Sequence, residues 1–198
     1  MTNRRSVFVI LLRGVNVGGA NKVPMAQLRK TCAAIGCQHV ETYIQSGNVV
    51  LSSDLAAASL EQQLEAAITE DFGIEVPVMV RSAARWRRYV KGNPFSTVAE
   101  TEANWVLLCL SKRVPKASAA TDLQQRATQG EVVVKKGDAI WIHYSQGIAR
   151  SKLSPTVLDR YMQSPVTTRN WRTVLKLAAM ADMSKAGVEN SHTVVRPQ

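Results

Sequence analysis

The sequence predicts an α+β fold with a ferredoxin-like βαββαβ first half. Three observations predict it. An apolar run of strand length opens the chain, two helical periodicities follow separate strand patterns, and a tight turn at Ser46-Gly47 joins two short strands. The second half repeats this order in part and predicts a related βαββα arrangement with an extra C-terminal helix.

The elements of the first half follow directly from their residues. The opening run is β-branched or bulky throughout, which favours a buried strand. Pro24 suits the first turn of a helix and Gly36 suits its end. The predicted elements are a strand at 7–12, a helix from 24 to 36, strands at 39–45 and 48–53, a helix ending at Gly73, and a strand at 75–80.

The handedness of the crossovers fixes which loops become neighbours. A right-handed connection places the second strand parallel to the first, with the third strand antiparallel between them. The carboxyl ends of the first two strands then lie at one edge of the sheet. We therefore expect the loop at 13–22 to lie beside the hairpin at 45–48.

The second half is predicted from weaker patterns of the same kinds. Strands are expected at 105–110, 132–135 and 139–144, the last two joined by a turn at Gly137-Asp138. A helix is expected at 117–127. Ser154 can cap another helix with Pro155 at its first position, and a final helix is expected at 168–180.

These elements predict four segments. Residues 1–81 form the ferredoxin-like half, and residues 82–103 form a connecting helix and loop that contains the breaker Gly92-Asn93-Pro94. Residues 104–183 form the second α+β half. The polar residues 184–198 have no periodicity, which predicts a disordered tail.

Composition narrows the class of protein. The 198 residues carry a formal net charge of +10, which is compatible with nucleic acid or phosphorylated ligands as partners. Three cysteines without a CxxC spacing predict free thiols and a cytoplasmic location. The apolar run at 7–12 is too short for a membrane span. No metal spacing involves the three histidines, His39, His143 and His192, and no cofactor motif is present.

Two polar clusters occupy the predicted edge. The first contains Arg13, Asn16, Asn21 and Lys22 with glycines between them, and suits a phosphate or carboxylate held by backbone N–H groups and cations. The alternative is a glycine-shaped turn with a solvated lysine. The second cluster contains Gln45, Ser46 and Asn48. Its alternative is a plain hairpin with Gly47 and Asn48 at positive φ.

Two further clusters are basic. Ser151-Lys152 follows Arg150, and Arg169-Asn170 opens the predicted final helix, where Arg169, Arg172 and Lys176 would share one face. Residues 81–91 contain Arg81, Arg85 and Arg88 at helical spacing, which could grip a nucleic-acid backbone. The alternative for both is a solvated charged face.

The chemistry that is missing is also informative. Neither 13–22 nor 43–50 contains His, Cys, Asp or Glu, so proton transfer by a group that titrates near neutral pH is poorly supported. No catalytic residue is assigned. An RNA-recognition module has the same element order, but it displays stacking aromatics on its central strands. The third strand here has none.

The strings RGVNVGGANKVPM at 13–25 and YIQSGNVV at 43–50 resemble the bacterial family of domain of unknown function 1697. Asn93-Pro94-Phe95, Ser151-Lys152-Leu153 and Thr168-Arg169-Asn170-Trp171 are similar to further family motifs. Ala149 stands where the family pattern has glycine, and the 81–91 cluster is outside the motifs. The resemblance implies a small two-part α+β protein and no established activity or cofactor.

Three functions remain open on the sequence. The first is binding of a phosphate-bearing anion, a nucleotide or nucleic acid, in a polar cleft between the two halves. The others are a small-molecule enzyme acting on an anionic substrate by charge stabilisation, and a protein-interaction module without a ligand. No membrane partner is expected, and no pattern indicates an oligomeric state. The candidate ligand-binding residues are Arg13, Asn16, Asn21, Lys22, Gln45, Ser46, Asn48, Ser151, Lys152, Arg169 and Asn170.

Overall fold

A computed structural model describes residues 5–191 of the chain, and the side chains of residues 5–184. The described residues form two compact units. The first unit contains residues 5–88 and 176–191, and the second unit contains residues 89–175. The long C-terminal helix and the connecting helix each contribute residues to both.

The first unit has the predicted βαββαβ order. Its single antiparallel sheet has the strand order β2-β3-β1-β4, which is the ferredoxin-like arrangement. The fold class predicted from the sequence is therefore confirmed. The elements are β1 Ser6–Leu12, α1 Met25–Ala34, β2 Gln38–Tyr43, β3 Asn48–Ser53, α2 Ala57–Phe72 and β4 Val78–Ser82.

The core of the first unit lies between its sheet and the two helices. Alternate residues of β1, such as Phe8, Ile10 and Leu12, join Leu28 of α1 and Leu64 of α2 in one buried cluster. The other face of the central strands is buried as well, since every residue of β3 and all of β1 after Ser6 is buried. This explains why β1 is a continuous apolar run rather than an alternating pattern.

The second unit repeats the arrangement with the strand order β6-β7-β5-β8. It contains one more strand than the sequence predicted, because Val166–Asn170 pairs with β5 as strand β8. The helix predicted from residue 168 instead begins at Trp171. The elements are β5 Val106–Ser111, α4 Ala119–Gln124, β6 Glu131–Lys136, β7 Ala139–Tyr144, α5 Pro155–Met162 and β8.

Two helices, α3 and α6, do not belong to the βαββαβ pattern of either unit. α3, Ala83–Lys91, forms where a connecting helix was predicted, and a short 3-10 turn, Val98–Glu100, follows it. α6, Trp171–Ser191, is the predicted C-terminal helix, longer than the pattern indicated. Residues 184–191 of the predicted tail therefore belong to α6, and residues 192–198, with His192, lie outside the described residues.

Carboxylates protect the same edge strand in both units. In the first unit the backbone N–H groups of Val78 and Val80 donate to Glu65 (2.9 Å) and Glu61 (3.2 Å) of α2. In the second, the N–H of Val166 donates to Asp159 of α5 (2.8 Å). Such caps occupy the outward N–H groups that would otherwise invite pairing with another strand.

The three cysteines are free, as predicted, and all three are buried. Burial raises the pKa of Cys32 to about 12 and also raises that of Cys109, so both thiols stay protonated and act as small apolar side chains. Among residues 5–191, no helix is both long and apolar enough to cross a membrane.

Candidate functional site

The loop after β1 and the β2–β3 hairpin are neighbours, as the crossover argument predicted. The N–H of Leu12 donates to the carbonyl of Gly47 (2.8 Å), and Leu11 is paired with Asn48. We call residues 13–24 and 44–47 together the loop–hairpin surface. Gly47 is essential to this approach, because a Cβ atom there would lie 2.6 Å from Leu12 Cβ and 2.7 Å from Val15 Cγ2.

Asn16 holds the loop against the hairpin. Its Nδ2 donates to the carbonyls of Gln45 (2.7 Å) and Val23 (2.9 Å), and its Oδ1 accepts from the N–H of Val23 (2.9 Å). Both amide protons are therefore used within the protein. Asn16 organises the surface and presents little of its amide to a ligand.

The rest of the loop is a small hairpin of its own. Val17 bridges to Ala20 around Gly18 and Gly19, which have φ of 58° and 80°. Two successive positive φ values at such a turn are easiest for glycine. Asn21 lies in the left-handed region as well (φ 47°), and its Nδ2 donates to the carbonyl of Gly14 (3.1 Å).

Three backbone N–H groups of the loop have hydrogen-bond acceptors within the loop itself. The N–H groups of Asn16, Ala20 and Val23 donate to Asn21, Val17 and the Asn16 side chain. These three N–H groups are directed within the loop. Arg13 and Lys22 supply the positive side-chain charge of the loop.

In the hairpin, Asn48 is structural. It is fully buried, and its Nδ2 donates to the carbonyl of Tyr43 (3.1 Å) and to Ser46 Oγ (2.9 Å). Asn48 was expected at positive φ, but the left-handed residues of this turn are Ile44 (φ 49°) and Gly47 (φ 70°). The expectation was wrong because Asn48 is already the first residue of β3.

Three cationic side chains belong to this region. Arg13 is half-buried, and its backbone N–H donates to the carbonyl of Pro77 (3.0 Å). Lys22 is exposed. Lys176 of α6 lies with its Nζ 6.0 Å from the centre of the Tyr43 ring, a cation–π distance. The sequence interpretation assigned Lys176 to a different cluster. No acidic residue occurs between positions 13 and 24.

Ser151 of the second unit is tied to a carboxylate that the sequence interpretation missed. Its hydroxyl donates to Glu131, and it accepts the N–H of Leu153 (3.1 Å). Burial alone would raise the pKa of Glu131, but hydrogen bonds from Ser151 and from backbone N–H groups lower it below its usual value. A glutamate at the start of a strand gave no signal of this role.

Arg169 and Asn170 also have structural contacts. Arg169 belongs to β8, so the helical face predicted for it with Arg172 and Lys176 was wrong. Its guanidinium is buried, which lowers its pKa to about 10, and donates to Thr167 Oγ1 (2.7 Å) and the carbonyl of Thr168 (2.8 Å). Asn170 Oδ1 accepts the N–H of Thr173 (3.0 Å), the contact of a helix N-cap. Lys152 is exposed.

The basic segment at 81–91 is only partly helical. Arg81 lies in β4, so it does not share a helical face with Arg85 and Arg88 as predicted. Arg87 forms an ion pair with Asp182 (2.6 Å) in the first unit. Among the described residues, no group of three or more His, Cys, Asp or Glu side chains could hold a metal ion.

Comparison with known proteins places these features in a family. The model of the family described as "Protein of unknown function (DUF1697)" matches residues 6–141. The chain belongs to this family. Both parts of the loop–hairpin surface lie inside the matched region of this DUF1697 protein, whereas Ser151, Lys152, Arg169 and Asn170 lie beyond it.

A solved structure supports the fold. The conserved bacterial protein SP0830 from Streptococcus pneumoniae is 23% identical, with a TM-score of 0.70 over 89% of this chain and 99% of that chain. At this identity the likeness shows the fold alone. No protein with a curated description matches the chain.

Proposed function

We propose that this DUF1697 protein binds a phosphate-bearing anion, a nucleotide or a nucleic acid, at the loop–hairpin surface. One observation carries the proposal. Asn16 fixes a loop that contains two cations and no acid against the hairpin of the same sheet edge. A loop ordered before binding loses less conformational entropy when a ligand arrives.

The chemistry of the surface supports an anion. The backbone N–H of Asn16 donates to the carbonyl of Asn21 (3.0 Å) and so joins two segments of the loop. Arg13 precedes Asn16 in the chain, and Lys22 follows Asn21. Their charges therefore come from neighbouring segments of one loop. α1 follows directly, and its first turn has no side-chain cap and no acidic residue to offset the partial positive charge of a helix N-terminus.

The cations would attract the ligand, and neutral polar groups would form directional hydrogen bonds with it. Arg13 and Lys22 would donate charge-assisted hydrogen bonds to phosphate oxygens, which are stronger than neutral ones. The exposed amide of Gln45 and the hydroxyl of Ser46 would add neutral contacts from the hairpin. Asn16, Asn21 and Asn48 would act as positioning residues, because their amides hold the loop and the turn.

The assignment of Ser151, Lys152, Arg169 and Asn170 to the same site stays a prediction. Three of these side chains have structural contacts within the second unit. Arg169→Lys is the informative change, since it keeps the charge while removing the planar guanidinium. A weaker affinity at unchanged melting temperature would support a contribution to the site.

Calorimetric titration with ATP, and separately with a short single-stranded oligonucleotide, tests the proposal. We expect Arg13→Ala or Lys22→Ala to weaken binding about tenfold, the loss of about 1.4 kcal/mol. Lys136→Ala is the matched control, because Lys136 is an exposed lysine beside the corresponding β6–β7 hairpin. Equal affinities of the wild type, both loop variants and the control would contradict the proposal.

A further inference from the structure

Ile44 has a conformation that folding does not explain. Its φ is 49°, in the left-handed region that β-branched residues rarely adopt. Its side chain is 53% exposed and does not belong to the apolar cluster of the first unit. Asparagine or glycine would satisfy this turn position with less strain. Strain without compensating burial points to a role in binding.

A second exposed apolar residue, Val17, is adjacent to the same hydrogen bond between the loop and the hairpin as Ile44. Val17 is 64% exposed and follows Asn16, and Ile44 precedes Gln45. Asn16 and Gln45 are the two residues whose hydrogen bond (2.7 Å) joins the loop to the hairpin. Val17 and Ile44 therefore flank the junction of the loop–hairpin surface, Val17 on the segment that contains the cations and Ile44 on the hairpin.

We infer that the bound anion is a nucleotide, with its phosphates at Arg13 and Lys22 and its base against Ile44 and Val17. This inference rests on the proposed function. An inorganic polyphosphate would use the cations alone, whereas a nucleotide also has a flat, weakly hydrated base that apolar side chains can cover. The amide of Gln45, next to Ile44, can form hydrogen bonds with the edge of that base.

The sheet favours a nucleotide over a single-stranded nucleic acid. Proteins with this topology bind single strands by stacking bases on an open sheet face. Here every residue of β3 is buried, and so is β1 after Ser6, so the central strands offer no such platform. The loop–hairpin surface is confined to two connections at one sheet edge and does not extend along the strands.

Titration calorimetry with the four ribonucleoside triphosphates, and with tripolyphosphate as the base-free probe, tests the inference. We expect at least one nucleotide to bind about tenfold more tightly than tripolyphosphate, as expected for covering one base. Equal affinity for all five probes would overturn the inference while leaving an anion site intact.

Ile44→Asn separates binding from folding. Asparagine tolerates the left-handed conformation, so we expect a higher melting temperature together with about fivefold weaker binding of the preferred nucleotide. Tripolyphosphate affinity should not change, because the cations remain. An Ile44→Asn protein that binds the nucleotide as tightly as the wild type would overturn the inference.

Val17→Ser and Val114→Ser form a matched pair. Val114 is 67% exposed and lies in the corresponding β5–α4 connection of the second unit. Only Val17→Ser should weaken nucleotide binding, and equal effects of the two changes would count against a base site at Val17. The proposed function fails separately, if Arg13→Ala leaves the affinity for tripolyphosphate unchanged.

Discussion

The two units have the same topology but differ at one sheet edge. In the first unit twelve residues, 13–24, connect β1 to α1, and four residues, 44–47, connect β2 to β3. In the second unit the corresponding connections are seven residues, 112–118, and two residues, 137–138. The second unit shows how little chain the fold requires there. The seven additional residues of the first unit belong to the loop–hairpin surface.

The helices that follow the two connections differ in charge at their first turns. Lys116 of the second unit forms an ion pair with Asp122 (2.8 Å), and the Lys116 ammonium lowers the pKa of that carboxyl. Asp122 lies in the first turn of α4, whereas the first turn of α1 contains no acidic residue. A helix start without an acid keeps the partial positive charge of its N-terminus, which suits an anionic ligand.

The largest expected effect is at the two hairpin glycines. Gly47→Ala places a Cβ 2.6 Å from Leu12 Cβ at a residue with positive φ. We therefore expect the free energy of unfolding to fall by about 3 kcal/mol. Gly137→Ala has the same conformational problem but meets nothing within 4 Å, so about 1 kcal/mol is expected. Urea unfolding measures both. Equal losses would contradict the close packing of loop and hairpin.

Asn16→Gly tests the order of the loop. Glycine accepts the φ of 56° but removes the amide that joins Val23 and Gln45. We expect a loss of about 2 kcal/mol in urea unfolding, and faster hydrogen exchange at the N–H of Val23. Unchanged exchange at Val23 would show that Asn16 does not hold the loop.

Glu65→Ala and Asp159→Ala test what the units share. Each change removes a carboxylate that accepts an N–H of an edge strand, from Val78 or Val166. We expect similar losses of about 1.5 kcal/mol by thermal or urea unfolding. Should one loss exceed the other several-fold, the two caps would not be equivalent.

The smallest expected effect is a pH dependence in the second unit. The lowered folded-state pKa of Glu131 stabilises the fold fully above the unfolded value near 4.5, and this contribution is lost as pH falls through the folded pKa. Glu131→Gln should therefore lose less stability than the wild type as pH falls below about 4.5. Acid titrations followed by circular dichroism that coincide for both proteins would contradict this.

Much of the fold was predictable because its signals are local. The run at 7–12, the turn at Gly137-Asp138 and the cap at Ser154 each depend on a few adjacent residues, and each was predicted correctly. β8 was missed because five residues between a helix and Trp171 have little periodicity of their own. Their strand state depends on pairing with β5, which is a tertiary contact.

The site was predictable only in its placement. Crossover handedness brought the loop and the hairpin together, but it could not divide their polar residues by role. That Asn16 and Asn48 point their amides into the protein depends on contacts five to twenty-nine residues away in the chain. Ile44 gave no sequence signal, because its left-handed φ is set by the turn that the folded chain makes there.

The most direct test compares the two sheet edges in one experiment. A nitrogen-15 amide spectrum is recorded while ATP, GTP, CTP or UTP is added, one at a time, to the full-length protein. We expect at least one nucleotide to shift the amide signals of 13–24 and 44–47 with a single saturable affinity, while those of 112–118 and 137–138 stay fixed. Equal shifts at both edges, or none at either, would contradict it.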